Sequence, residues 1–147
     1  MTRSVIAPTP DSPASQAVGL DLDGTLTQAG PWLGGRIGLP QPGAIEALRT
    51  IAEHRAVFVY TARAKCWLPE VADWVTWYSG LEAFVDPSPD RAYYTAVGGP
   101  ILVTNTKLGA AAYVDDRAVH HAGDWAITFA AVSRAIGLDR PGVCTTT

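Results

Sequence analysis

The chain is 147 residues long, 48% apolar and 17% charged, with five Trp; a chain of this size and composition buries enough apolar surface to fold without staples, which excludes intrinsic disorder of its body. A formal charge of −3, with the eleven basic residues scattered along the chain, excludes the basic footprint of strong, sequence-independent nucleic-acid binding. No apolar run approaches the roughly 20 residues of a membrane-spanning helix, the apolar patch at residues 5–7 is too short for a secretory signal, and two distant cysteines, Cys66 and Cys144, match neither a disulfide framework nor a metal motif, so a soluble, cytoplasmic protein with no membrane partner is expected.

Residues 1–16 carry three Pro and almost no apolar pattern and are expected to form a disordered tail, as are residues 141–147; residues 17–140 are expected to form a single domain. Ala17 to Leu20 is the first strand expected. Pro42 then opens a helix through Ile45, Leu48 and Ile51, which recur by threes on one face. Ala56 to Tyr60 predicts a second strand, Leu68 to Tyr78 a helix ended by Ser79-Gly80, and Ala83 to Val85 a short strand running into a Pro-rich turn. Ile101 to Thr104 and Ala111 to Val114 read as further strands, and Asp124 caps a last helix through Trp125, Phe129, Val132 and Ile136. Short apolar runs alternating with helical segments predict an α/β fold around a parallel sheet. Trp67, Trp74 and Trp77 recur at helical spacing, which predicts a core-facing stripe.

Chemistry-bearing residues gather where the strands stop. Asp21 and Asp23 follow the first, Thr61 and Arg63 the second, Lys107 the Ile101 to Thr104 run, and Asp115 and Asp116 the last. Open parallel sheets bind ligands along the edge formed by the carboxyl ends of their strands, so four segments are expected to converge there. Carboxylates brought together repel unless a cation lies among them, and an oxygen-only set without His or Cys points to a hard ion such as Mg²⁺. A cation, a lysine and a threonine hydroxyl around a carboxylate complement a phosphoryl group.

The string Asp21-Leu22-Asp23-Gly24-Thr25-Leu26-Thr27 after an apolar strand resembles the first signature motif of the haloacid dehalogenase-like superfamily of phosphohydrolases. Val59-Tyr60-Thr61-Ala62-Arg63 resembles its second motif, with Ala62 where a small Gly is more usual; Lys107 stands where the third motif's lysine would; and Tyr113-Val114-Asp115-Asp116-Arg117 resembles the acidic fourth. The resemblance spans roughly residues 17–136 and implies a three-layer Rossmann-like fold. It also implies a Mg²⁺-dependent phosphomonoesterase with Asp21 as nucleophile and Asp23 as general acid and base, a pairing that favours a phosphatase over dehalogenase or ATPase relatives. Thr61 and Lys107 would hold the phosphoryl group. Asp21, the Asp23 backbone carbonyl, Asp115 and Asp116 would hold the metal. Gly24, Thr25, Ala62, Arg63 and Arg117 would line the substrate site, with Arg63 and Arg117 holding the nonreacting part of the substrate or bracing the acids, and Trp32 would lie on a flap beside it.

Only 40 residues separate Asp21 from Thr61 and 46 separate Thr61 from Lys107, which leaves no room for the cap domains of this superfamily and implies an open, capless site. The motif set is also similar to the phosphatase half of polynucleotide end-healing enzymes, so a nucleotide or nucleic-acid terminal phosphate is one expected substrate class and a small phosphoester the alternative. A phospho-accepting switch of the receiver type and a binding domain without turnover draw on similar residues. The receiver order differs, because receivers place the acceptor after a later strand.

Overall fold

The structure is a computed structural model that describes residues 16–30, 34–88 and 90–138; the expected tails, save Gln16, and Trp32 lie outside the described residues. The chain divides into two compact units, residues 1–116 and 117–147.

The first unit is built on five parallel strands: β1 (Val18–Asp21), β2 (Val57–Tyr60), β3 (Ala83–Val85), β4 (Ile101–Thr104) and β5 (Ala112–Val114), in spatial order β3-β4-β2-β1-β5. This is the α/β, Rossmann-like architecture expected, and the strands lie within a residue of their expected bounds. β2 and β4 are buried along their whole length, because a parallel strand covered on both faces reads as a continuous apolar run rather than an alternating one.

Helices α1 (Ala44–His54) and α2 (Leu68–Ser79) cover one face. Leu48 of α1 and Val71 and Val75 of α2 are fully buried there against Leu20, Val57, Val59, Ile101 and Val103. Alternate residues turn the other way: Phe58, Tyr60 and Leu102 join Tyr94 and Leu108 in a second cluster, supplied by the coil that links β4 to β5 and by the segment before β4. Gly80 closes α2 in the left-handed conformation, φ 72°, a common ending for which glycine has no Cβ penalty.

Two expectations need correction. Pro42 does not open α1: Gly43, at φ 83°, takes the left-handed conformation before Ala44, so the Pro42-Gly43 pair forms a turn and the helix starts after it. The tryptophan stripe is also not all core. Trp74 is buried and its Nε1 donates to Gly38 O (3.0 Å), Trp67 lies half-buried in a 3-10 turn before α2, and Trp77 is 82% exposed.

In the second unit, α3 (Trp125–Ile136) starts where expected: Asp124 Oδ1 accepts from Ala126 N at 2.9 Å, satisfying one of the helix's orphan donors. His121 lies against the Trp125 ring, centroids 4.7 Å apart, with its Nδ1 2.6 Å from Thr128 Oγ1. Among the described residues no helix is long and apolar enough to cross a membrane.

Close packing of the aromatic face has a price at β1. A Cβ on Gly19 would stand 2.6 Å from Phe58 Cζ and 3.0 Å from Tyr113 Cδ1, inside van der Waals contact, so the glycine is what lets β1 lie under those two rings. Gly19→Ala is expected to destabilise the fold by about 1–3 kcal/mol through overpacking, read as a lower urea midpoint at unchanged slope; an unchanged midpoint would contradict this packing.

Candidate functional site

The centre of the site is set where β1 stops. After Asp21 the chain winds through one irregular turn, Leu22–Leu26, in which Thr27 N donates back to Leu22 O (3.1 Å). Leu22 and Leu26 are buried in the core and anchor the turn, while Asp21, Asp23 and Thr25 are left at the sheet edge. Gly24 makes the turn possible twice over. Its φ is 82°, and a Cβ there would lie 2.5 Å from Asp116 Oδ2, so both the backbone and the neighbouring carboxylate exclude a side chain. Gln41 Nε2 pins the turn from below by donating to Gly24 O (2.8 Å) and Thr27 O (2.9 Å).

The chain leaves β1 toward β2, whereas β5 pairs on β1's other side, so the carboxyl ends of β1 and β5 border the point where such sheets open a crevice. Asp115 and Asp116, directly after β5, thereby meet Asp21. One carboxylate oxygen from each of the three lies within 4.8 Å of the other two. Thr25 Oγ1 ties the group together: it accepts from Asp116 N (3.0 Å), and its one proton is shared between Asp21 Oδ2 (3.1 Å) and Asp116 Oδ1 (3.3 Å). Tyr60 donates its phenol to Asp115 Oδ2 (3.0 Å).

Electrostatics follow from that crowding. Burial, the charge of Asp115 and a hydrogen bond with the Asp116 carboxyl push Asp21 up from 3.8 to about 6, against the smaller opposing effects of the Thr25 hydroxyl and a backbone N–H. Burial and the Asp115 carboxylate hold the Tyr60 phenol above its usual range, so it stays a donor. These half-buried and exposed oxygens form a hard, anionic donor set whose repulsion a divalent cation would relieve, and they fit Mg²⁺ in ligand type.

Asp23 faces outward, its side chain 47% exposed, and is gripped by Arg63, whose Nε and Nη2 donate to its two oxygens at 2.8 Å each. Arg63 itself is buried, its side chain 4% exposed, and its Nη1 and Nη2 also donate to Gly35 O (2.6 Å) and Arg36 O (3.3 Å). The Asp23 carboxylate raises the Arg63 pKa further. Of the two roles expected for Arg63 the geometry therefore favours bracing, though of Asp23 rather than of the Asp115–Asp116 pair. Thr61 is buried at the end of β2, its N–H on Thr104 O (3.1 Å) and its hydroxyl oxygen accepting from Arg63 N (3.2 Å). Ala62 is exposed, and no non-glycine residue among those described has a positive φ, so nothing there demands glycine. The Lys107 ammonium stands 4.2 Å over the Tyr113 ring centroid. Arg117 belongs to the second unit.

Tyr60 and Gln41 are the residues that sequence reasoning missed. Tyr60 reads as one more apolar strand residue, and only its place immediately before Thr61, at a strand's carboxyl end, hinted at a polar use. Gln41 lies among loop residues with no pattern to single it out.

No family model matches the sequence, and no curated protein matches it. Among solved structures, the chain is similar to that of a conserved protein from Bacteroides thetaiotaomicron, with a TM-score of 0.50 and 25% identity over 82% of this chain and 92% of that one; the likeness supports the α/β fold.

A carboxyl whose pKa is raised on folding stabilises the fold fully below its unfolded pKa, here near 3.8, and that contribution is lost as pH rises through about 6. In the metal-free protein, Asp21→Asn is therefore expected to gain melting temperature relative to the parent as pH climbs from about 4 to about 7, the gap opening across that window. A gap that stays constant with pH would mean that Asp21 does not carry the shift.

Proposed function

We propose that the protein is a Mg²⁺-dependent phosphomonoesterase of the capless haloacid dehalogenase-like type. The observation that carries this reading is the meeting of Asp21 with Asp115 and Asp116, oxygens within 4.8 Å, while Asp23, two residues on, is held apart from them in the grip of Arg63. Two carboxylates in one turn thus have separate environments, Asp21 among other acids and Asp23 beside a guanidinium. Bound Mg²⁺ would offset the charge of the three acids and draw electron density from the phosphoryl oxygens.

Asp21 is the nucleophile. Its carboxylate oxygen forms a bond to phosphorus as the bond to the leaving alcohol's oxygen breaks, and Asp23 gives that oxygen its proton. Water then attacks the aspartyl-phosphate, Asp23 takes the proton, and inorganic phosphate and Asp21 are restored. A carboxylic acid is a poor nucleophile, so an Asp21 pKa near 6 means that the metal-free site is half switched off in mildly acid solution, and a cation among the acids favours the ionised form. Thr61 lies one strand over from Asp21, where its hydroxyl can serve a phosphoryl oxygen. Lys107 is held by an aromatic face worth only about 0.5–1 kcal/mol at an exposed site, a hold that an arriving phosphate dianion can outbid.

Arg63 fixes the position of Asp23 by two hydrogen bonds rather than touching substrate. The substrate is a phosphate monoester; a nucleotide or a nucleic-acid end and a small phosphoester are both compatible with an open site.

Phosphate release from 4-nitrophenyl phosphate is expected to require Mg²⁺, to stop in EDTA, and to fall by a factor on the order of 10³ or more in Asp21→Asn, with circular dichroism unchanged. Turnover retained by that variant, or by metal-stripped protein, would overturn the reading. Arg63→Lys, which keeps the charge but loses the two-pronged grip, is expected to lower kcat by about tenfold with KM little changed; an unaltered kcat would show that the orientation of Asp23 does not matter.

A further inference from the structure

One strand beyond Thr61, the carboxyl ends of β3 and β4 and the 3-10 turn before α2 enclose a cavity of about 320 Å³, within the size range of small-ligand pockets. Its walls are mixed, with Leu68, Val85 and Pro87 lining it beside polar residues. Lys65 stands at the start of that turn, Asp86 and Ser88 follow β3, and Thr104, Asn105 and Thr106 end β4. None of the residues lining it is aromatic.

Asp86 is the unusual member. Its side chain is only 7% exposed, yet both of its hydrogen bonds, from Ser88 N (2.9 Å) and Arg91 Nε (3.0 Å), fall on Oδ1. The second oxygen, Oδ2, accepts from no described residue and is not sealed from solvent, so a ligand hydroxyl can replace water as its donor. Thr104, 4% exposed, adds a hydroxyl whose oxygen already accepts from Thr106 N (3.1 Å), leaving its proton to give. Acceptors, hydroxyls, an amide and an ammonium are thus set around one small space. That combination suits a ligand bearing several hydroxyl groups, each both donor and acceptor, and offers a planar base no ring to stack on.

The place of the cavity matters as much as its lining. Thr61 N donates to Thr104 O (3.1 Å), so a cavity wall adjoins the residue assigned to the phosphoryl group. β4 is two strands from β1, about 10 Å at ordinary strand spacing, a span that a phosphorylated sugar bridges. We propose that this cavity is the subsite for the leaving alcohol and that this alcohol is a polyol, so that the substrate is a sugar or sugar-alcohol monophosphate. The proposal rests on the phosphomonoesterase reading.

Steady-state kinetics of the full chain with Mg²⁺ test it, on hexose, pentose and glycerol monophosphates, nucleoside monophosphates and 4-nitrophenyl phosphate. The kcat/KM for the best polyol monophosphate is expected to exceed that for 4-nitrophenyl phosphate by about tenfold or more, since a site built to bond hydroxyls discriminates against ligands that lack them. Asp86→Asn and, at the exposed mouth, Lys65→Met are each expected to lower that ratio about fivefold or more through KM; the second variant decides the matter should loss of the Arg91 pairing unfold the first. Preference for nucleoside monophosphates, no preference at all, or a ratio that the folded variants leave unmoved would overturn the subsite while leaving the phosphatase intact. Absence of turnover on every compound, 4-nitrophenyl phosphate included, would overturn the phosphatase and the subsite together.

Discussion

Three carboxylates, Asp21, Asp115 and Asp116, each bring an oxygen to within 4.8 Å of the other two at the ends of two paired strands. β1 is paired on both sides and roots the group in the core through Leu20 and Leu22, so relaxation by moving apart would break a parallel ladder. Burial first, and the charge of Asp115 after it, are answered by protonation, so that Asp21 holds its proton to about pH 6. A cation placed among these acids would relieve the repulsion between them. The surrounding groups read as adjustments to this crowding: Thr25 shares its hydroxyl hydrogen between two of the acids, Tyr60 donates a hydrogen bond to the third, and Gly24, with no side chain, leaves room.

Arg63 organises the next layer outward. One guanidinium spans Asp23, the Gly35 carbonyl and the Arg36 carbonyl, and a buried cation is tolerated because each of these partners is anionic or a strong acceptor. The segment after the Asp23 turn is thereby fastened to the end of β2. Trp74, whose indole donates to Gly38 O, fastens the same segment to α2.

Much of this was legible in the residues themselves. β2 and β4 announce themselves as unbroken apolar runs because both faces are covered, and Gly80 and Asp124 mark helix ends through local backbone chemistry that needs no tertiary context. The meeting of Asp21 with the Asp115–Asp116 pair followed from strand ends alone, since a parallel sheet leaves them on one edge. What depended on three-dimensional partners was not legible. Nothing along the chain says that Arg63 turns inward to Asp23, that the Lys107 ammonium stands on Tyr113, or that Trp77 faces solvent while Trp74, three residues earlier, does not. The cavity escaped for the same reason: Lys65, Asp86 and Thr104 lie on three separate segments, and no spacing connects them.

The acids that close the site follow β5, a strand of three residues hydrogen-bonded to β1 and lying at the edge of the sheet. Short edge strands open more readily than central ones, as local events well below the cost of global unfolding. Each such opening would carry Asp115 and Asp116 away from Asp21, so any cation shared by all three competes with the fraying of β5. Were a cation held by all three acids, its apparent dissociation constant would be the intrinsic one divided by the fraction of time that the last strand is zipped.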